Sequence, residues 1–172
     1  MNRPREDEYA PDYARYVARV PDRDLTDLLV DQWRETESTL RAVPEARAGF
    51  RYAPEKWSIK EVVGHLADAE RVFTYRLLRI ARADETPLAG FEENDYVRVA
   101  GFDRRPLAEL VAELGAIRAS TVALVRGLGD EESRRRGTAN GQAVSARALA
   151  CIIAGHELHH RETLRTRYGL GA

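Results

Sequence analysis

Apolar residues recur along this chain at steps of three and four, and nowhere in the strict alternation of a half-buried strand. That period predicts an all-α fold, a bundle of four amphipathic helices. The first spans Asp24 to Val43, with Leu25, Leu28, Leu29, Trp33, Leu40 and Val43 on one stripe and Pro44 as its stop. The second opens on a capping box, Ser58 with Glu61, and Trp57 and Val62 flank the cap as a hydrophobic staple. Its stripe of Ile59, Val62, Val63, Leu66, Phe73, Leu77 and Ile80 runs to Arg82. The third starts at Pro106, a favoured first-turn residue, and carries Leu107, Leu110, Val111, Leu114, Ile117, Leu124, Val125 and Leu128. The fourth runs from Ser145 to Tyr168, where Gly169 supplies the stop.

The segments between them are less regular. Residues 1–21 read as an N-terminal arm whose Tyr9, Tyr13, Tyr16 and Val17 pack across the bundle, and residues 22–172 as one four-helix domain. The stretch from Ala83 to Arg105 is long and mixed, with a short helical possibility at Glu92 to Val99. A connection of that length in a compact domain is usually functional or covers something, and it predicts a topology other than simple up-down-up-down. Glu92, Glu93, Asp95 and Tyr96 fit an exposed acidic turn or a rim over a site. Gly127 to Gly141 reads as a loop in which Arg134, Arg135 and Arg136 are solvated.

Composition narrows the class. At 172 residues, with 44% apolar and 32% charged positions, the chain is long enough to bury a core and too apolar to be disordered. A formal net charge of -1 gives no pull towards nucleic acid or an anionic membrane. No apolar run approaches the roughly 18 residues that a membrane span needs. Cys151 is the single cysteine, so no internal disulfide forms and a reducing cytoplasm is the expected location. Helical bundles of this size often pair through a helix face, which makes a homodimer the expected assembly.

The fourth helix carries the candidate chemistry. At about 100° per residue, Leu149, Ile152, Ile153, His156, His160 and Thr163 share one sector. His156 and His160 therefore continue an apolar face where Leu or Ile belongs, and polar replacements on such a face call for compensating chemistry. Residues at i, i+4 can each offer a nitrogen to one ion. His65, at the edge of the second helix's stripe beside small Ala69, is the third candidate ligand. His159 is rotated about 60° from His156, to the side opposite His160. It could chelate with His156 at i, i+3, but its distance from the face centre favours a role beside the ligands. Glu157 points away from the histidine face, so the segment lacks the geometry of an HExxH metalloprotease.

Three neutral imidazoles leave coordination positions open, the arrangement of a catalytic site, and suit one divalent transition metal: zinc or nickel first, with iron or manganese also compatible. Other helices carry interrupted stripes too. Gln32 and Thr36 on the first and Arg118 on the third fall among leucines and valines. They read either as a substrate-binding pocket facing the metal, with Arg118 holding an anionic substrate, or as locally satisfied side chains.

Two segments carry a family resemblance: Trp57 to Arg82, WSIKEVVGHLADAERVFTYRLLRIAR, and Gly155 to Thr163, GHELHHRET, with its H-x-x-H-H ending. In these the chain resembles the DinB-like superfamily, in particular its DinB-2-type members, over about Asp24 to Tyr168. The resemblance implies a four-helix bundle with up-down-down-up connectivity. It also implies a metal site made of one histidine on the second helix and the first and last of the fourth-helix group, which fall on His65, His156 and His160. The activities it implies are transfer of a low-molecular-weight thiol such as bacillithiol or mycothiol, the leading expectation, and metal-dependent hydrolysis as the alternative; a non-catalytic stress-response or binding bundle is a third reading, of a different class. The chain departs from many relatives in carrying Glu162 and Thr163 after the histidines, which leaves the partner of His160 open.

Overall fold

The computed structural model describes residues 1–171. In chain order its elements are α1 (Ala14–Val17), α2 (Leu25–Arg41), α3 (Glu45–Ala48), α4 (Ile59–Ala81), α5 (Glu93–Ala100), α6 (Leu107–Arg126), α7 (Asp130–Arg134), β1 (Arg136–Ala139), β2 (Gln142–Ser145) and α8 (Ala146–Tyr168). The long helices α2, α4, α6 and α8 are the four that periodicity predicts. Their starts are held by side chains: Asp24 accepts from the amides of Thr26 and Asp27, Ser58 and Glu61 close the capping box, and Ser145 accepts from the amide of Ala148. Gly169, at φ +65°, ends α8.

Around the bundle, α4 lies between α6 and α8, and α2 closes the ring between the same two helices. Cross-helix bonds reveal the directions. Glu70 meets Arg118 and Thr74 meets Thr121, so α4 and α6 run parallel. Gln32 meets the carbonyl of Ala154 and Thr36 meets Glu157, so α2 and α8 are parallel as well. His65 faces His160 while Phe73 faces His156, so α4 and α8 are antiparallel. The connectivity is up-down-down-up, and residues 82–106 form the crossover between the two parallel helices that run down.

The apolar core is in two parts. One gathers Leu28, Leu29, Phe73, Leu77, Val125, Leu149, Ile152 and Ile153; the other gathers Leu40, Val63, Leu66, Leu110, Val111, Leu114 and Leu164. Between them lies a polar layer. Arg118, only 2% exposed, donates through Nε and Nη2 to both oxygens of Glu70 at 2.8 and 2.7 Å. Its Nη1 reaches Glu157 at 2.6 Å and the carbonyl of Leu29 at 3.2 Å. Thr36 completes the layer by donating to Glu157 at 2.5 Å. Burial alone opposes the guanidinium charge, but the carboxylates of Glu157 and Glu70 outweigh it and raise the Arg118 pKa.

The region from Gly129 to Gly141 is not a plain loop. After the turn of α7, β1 and β2 form an antiparallel hairpin around Asn140 and Gly141, both at positive φ (52° and 70°), as a two-residue type I′ connection requires. Its tip also pairs with the crossover: the amide of Leu88 donates to Thr138 and the amide of Asn140 to Leu88, each at 2.9 Å. The arginine run is put to use here, since Arg135 bonds the carbonyl of Ala81 at the end of α4 and Arg136 pairs with Asp7. No helix among the described residues is long and apolar enough to cross a membrane.

Removing Arg118 should leave two buried carboxylates without a counter-charge. Arg118→Met is expected to lower unfolding stability by about 3–5 kcal/mol in urea titrations. Replacing Glu70, Arg118 and Glu157 together by apolar residues should recover most of that loss. A loss below about 1 kcal/mol in the single variant would show that the layer is not a paired buried charge network.

Candidate metal centre

His65 projects from α4 and His156 and His160 from α8, so the antiparallel contact of these two helices is what brings the imidazoles together. One nitrogen from each lies within 4.8 Å of the others. The Nε2 atoms of His65 and His156 are 3.1 Å apart, and the three ring centroids are separated by 4.6 to 5.0 Å. Two donors at about 2.0–2.1 Å from one tetrahedral ion sit about 3.3 Å apart, so this pair has the spacing of two ligands on a single ion. His159 stands outside the cluster, edge-on to His160 at 5.1 Å and to Tyr16 at 5.6 Å.

The electrostatics suit a ligand set. Burial, with a smaller push from His159, lowers the His65 pKa to about 4. Burial and the neighbouring histidines hold His156 and His160 well below the usual imidazole range. All three are therefore neutral at physiological pH, the form in which imidazole binds a metal. Trp57 packs on the His65 ring at 4.7 Å and lies nearly parallel to that of His160. Phe73 and Tyr16 meet His156 edge-on at 5.7 and 5.3 Å.

The cluster forms the floor of a cleft of about 470 Å³ on the outer side of α4 and α8. The N-terminal segment builds one wall through Tyr13, Arg15 and Tyr16, while Phe91, Glu93 and the hairpin residues Asn140 and Gln142 build another. Gly155 makes the first wall possible: a Cβ there would lie 2.1 Å from the carbonyl oxygen of Tyr16. A residue with any side chain just before His156 would push α1 off α8.

Gln32, Thr36 and Arg118 lie elsewhere. None of them lines this cleft; all are in the buried layer on the inner side of α8. Arg118 is saturated by Glu70 and Glu157, Thr36 is held by Glu157, and Gln32 donates to Ala154 at 3.0 Å. Glu157 does turn away from the histidine face, as helical angles require, but into the core and not into solvent. Cleft residues that the sequence pattern does not assign to the site include Tyr16, Trp57, Phe73, which it places on the core stripe, and Arg76. Of these, Phe73 and Arg76 share the α4 face of His65 and Ala69 at steps of four, four and three.

A four-helix bundle of this connectivity, with imidazoles from its second and fourth long helices converging beneath an outer cleft, defines a class of candidate metal-binding bundle. The DinB_2 sequence model of the DinB superfamily matches residues 28–164, and the chain belongs to that superfamily. The fold is similar to that of YfiT from Bacillus subtilis, described as a probable metal-dependent hydrolase with an unusual four-helix bundle topology. The TM-score is 0.75 at 18% identity, over 99% of this chain and 95% of that one. It is also similar to a mycothiol-dependent maleylpyruvate isomerase, with a TM-score of 0.70 at 16% identity. There the match covers 91% of this chain and 64% of the isomerase, so this chain spans about two thirds of that protein's length. A DinB-like protein of Bacillus subtilis, YjoA, matches with a TM-score of 0.59 at 19% identity, over 81% of this chain and 85% of that one. No protein of curated function matches in sequence.

The depressed histidine pKa values set a pH dependence for the metal-free protein. An imidazole whose folded pKa lies below its unfolded value binds fewer protons in the native state, so stability falls as pH drops through that interval. For His65 the interval runs from 6.5 down to about 4. After chelation, the protein should lose up to about 1.4 kcal/mol per pH unit for each such histidine across this window. A variant carrying His65→Ala, His156→Ala and His160→Ala should show a shallower slope in urea titrations. Equal slopes would mean that the imidazoles are not held neutral by burial.

Proposed function

We propose that this chain is a metal-dependent enzyme in which His65, His156 and His160 hold one divalent transition metal, zinc or nickel, and that it transfers a low-molecular-weight thiol to an electrophile in the cleft. The observation that carries this reading is the set of three neutral imidazoles, two buried and that of His160 half-buried, on the floor of an open cleft. Three converging histidines without hydrogen-bonded carboxylate partners, two of them buried, have little structural reason to meet, and an ion binding on the cleft side would satisfy them together. When bound, such an ion supplies Lewis acidity and lowers the pKa of a thiol or water that it coordinates.

The surrounding residues have definable tasks. Trp57 and Phe73 fix the ring planes of the histidines and keep bulk water from the floor. His159, between His160 and Tyr16, is a positioning residue for the ligand next to it. Burial raises the Tyr16 pKa above that of an ordinary phenol, so the hydroxyl keeps its proton and can donate to a substrate. Arg15 donates to that hydroxyl at 3.0 Å and orients it.

The fold shared with the mycothiol-dependent isomerase favours thiol chemistry. The likeness to YfiT, nearly complete in both chains, favours hydrolysis as a second reading that uses the same residues. Metal analysis by mass spectrometry on untagged protein separates the enzyme readings from a purely structural role. About one transition metal per chain, lost in the triple histidine variant while the fold persists, is the expected result. Consumption of chlorodinitrobenzene that requires added thiol then identifies a transferase. Ester hydrolysis independent of thiol identifies a hydrolase, and metal without turnover identifies a binding protein. A wild type that stays empty after incubation with zinc, nickel, iron and manganese overturns the proposal.

A further inference from the structure

We propose that Arg76 is an anion-recognition residue, and that the cleft takes an elongated substrate or co-substrate bearing a carboxylate at the end remote from the imidazole cluster. This deepens the reading above, since the reacting end of the same cleft is the histidine floor.

Two arginines of the bundle are almost wholly buried, and the protein treats them differently. Arg118 is surrounded by acceptors, including the carboxylates of Glu70 and Glu157. Arg76 is 3% exposed, yet no carboxylate of the described residues lies within ion-pair distance of it. Its single protein acceptor is the carbonyl of Ala89, which Nη2 meets at 2.6 Å. A guanidinium carries five N–H donors in a planar fork, so most of its hydrogen-bonding capacity is unspent. Among the described residues Gln32 Oε1 is the one fully buried side-chain polar atom without a partner, so the unbonded N–H groups of Arg76 open onto the cleft; with Arg118 the bundle shows that it can supply carboxylates where a guanidinium is to be neutralised internally.

The location says what would neutralise it. Arg76 lines the cleft, with its guanidinium 5.8 Å from the centre of the Phe91 ring. It lies on the α4 face that begins with His65 and continues through Ala69 and Phe73. Eleven residues of helix separate the Cα atoms of His65 and Arg76 by about 16 Å, and both side chains slant the same way along α4, so the two groups stay at opposite ends of the cleft. The path between is apolar and aromatic, through Ala69, Phe73 and Phe91, and suits a carbon chain. The acidic residues of the cleft, Asp12 and Glu93, are exposed at its rim, where water screens them. A single planar fork beside an aromatic ring matches a carboxylate. A phosphate would call for more donors than this end of the cleft provides.

The test uses thiols matched except for the far group: mercaptopropionate, mercaptohexanoate and mercaptoundecanoate against the corresponding mercaptoalcohols. Binding is followed by Trp57 fluorescence and by calorimetry, on chelated and on metal-loaded protein. The wild type is expected to prefer the carboxylate by about tenfold or more at the chain length that spans the cleft. Arg76→Gln should abolish the preference without changing affinity for the alcohol, and Arg76→Lys should restore part of it. A merely structural role for Arg76 would instead weaken acid and alcohol equally. Because the acid–alcohol preference is also read without metal, it survives if only the metal reading fails; metal loading then adds no affinity for either series. Equal binding of acids and alcohols by the folded wild type at every length, or a preference that persists in Arg76→Gln, overturns the proposal.

Discussion

The register of this bundle depends on one buried cation. Arg118 sits where the two apolar cores meet and draws acceptors from each of the other long helices: Leu29 on α2, Glu70 on α4 and Glu157 on α8. Apolar stripes alone tolerate sliding by a turn, because leucines one turn apart are nearly equivalent. A guanidinium and two carboxylates do not, since any slip leaves a charge in the core without its partner. The layer therefore adds little net stability compared with a well-packed apolar core, but it makes one alignment of α4, α6 and α8 far better than its neighbours.

That alignment is also what assembles the histidines. Glu157 directly follows His156, and consecutive helical residues point about 100° apart. Once Glu157 is committed to Arg118 on the inner side of α8, His156 and His160 must face outward, to where α4 presents His65. Glu70 makes the same commitment on α4, five residues after His65. The ion-pair layer and the imidazole cluster thus share a helix pair and a level in the bundle, and chemistry on one side of α8 is positioned by electrostatics on the other. It follows that a helix buried on both sides, as α8 is, has almost no position left for incidental variation between Leu149 and Glu157.

Much of this was legible in the sequence because it rests on local rules. The period of the apolar stripes, the Ser58–Glu61 capping box and Gly169 as a stop place the long helices to within a residue or two. The convergence of His65, His156 and His160 followed from helical angles and from the family resemblance together. What was not legible is pairing. Arg118, Thr36 and Gln32 stood out as polar interruptions, but their partners lie up to 122 residues away and no local pattern identifies them. The hairpin had a signal in Asn140-Gly141, obscured because its strands are only four residues each and their alternation is weak. The arm's contribution was hidden for another reason: Tyr16 becomes a wall of the site only because Gly155 lets its backbone cross α8.

The cleft's placement explains where specificity must reside. Neighbouring helices in a bundle pack with axes about 8–10 Å apart, which leaves an interior filled by side chains and no room for a substrate. A site on the inner faces could bind an ion but little else. Here the histidines emerge on the outer side of the α4–α8 pair, and the volume above them is enclosed by segments that lie outside the bundle: the N-terminal arm, the crossover near Phe91 and the hairpin tip. These segments donate and accept none of the hydrogen bonds of the Arg118 layer and supply none of the three imidazoles, so their cleft-facing side chains can change without altering either. A bundle built this way can keep its inner polar layer fixed while the segments around the cleft change, and the same fold recurs in structures only 16 to 19% identical to this chain.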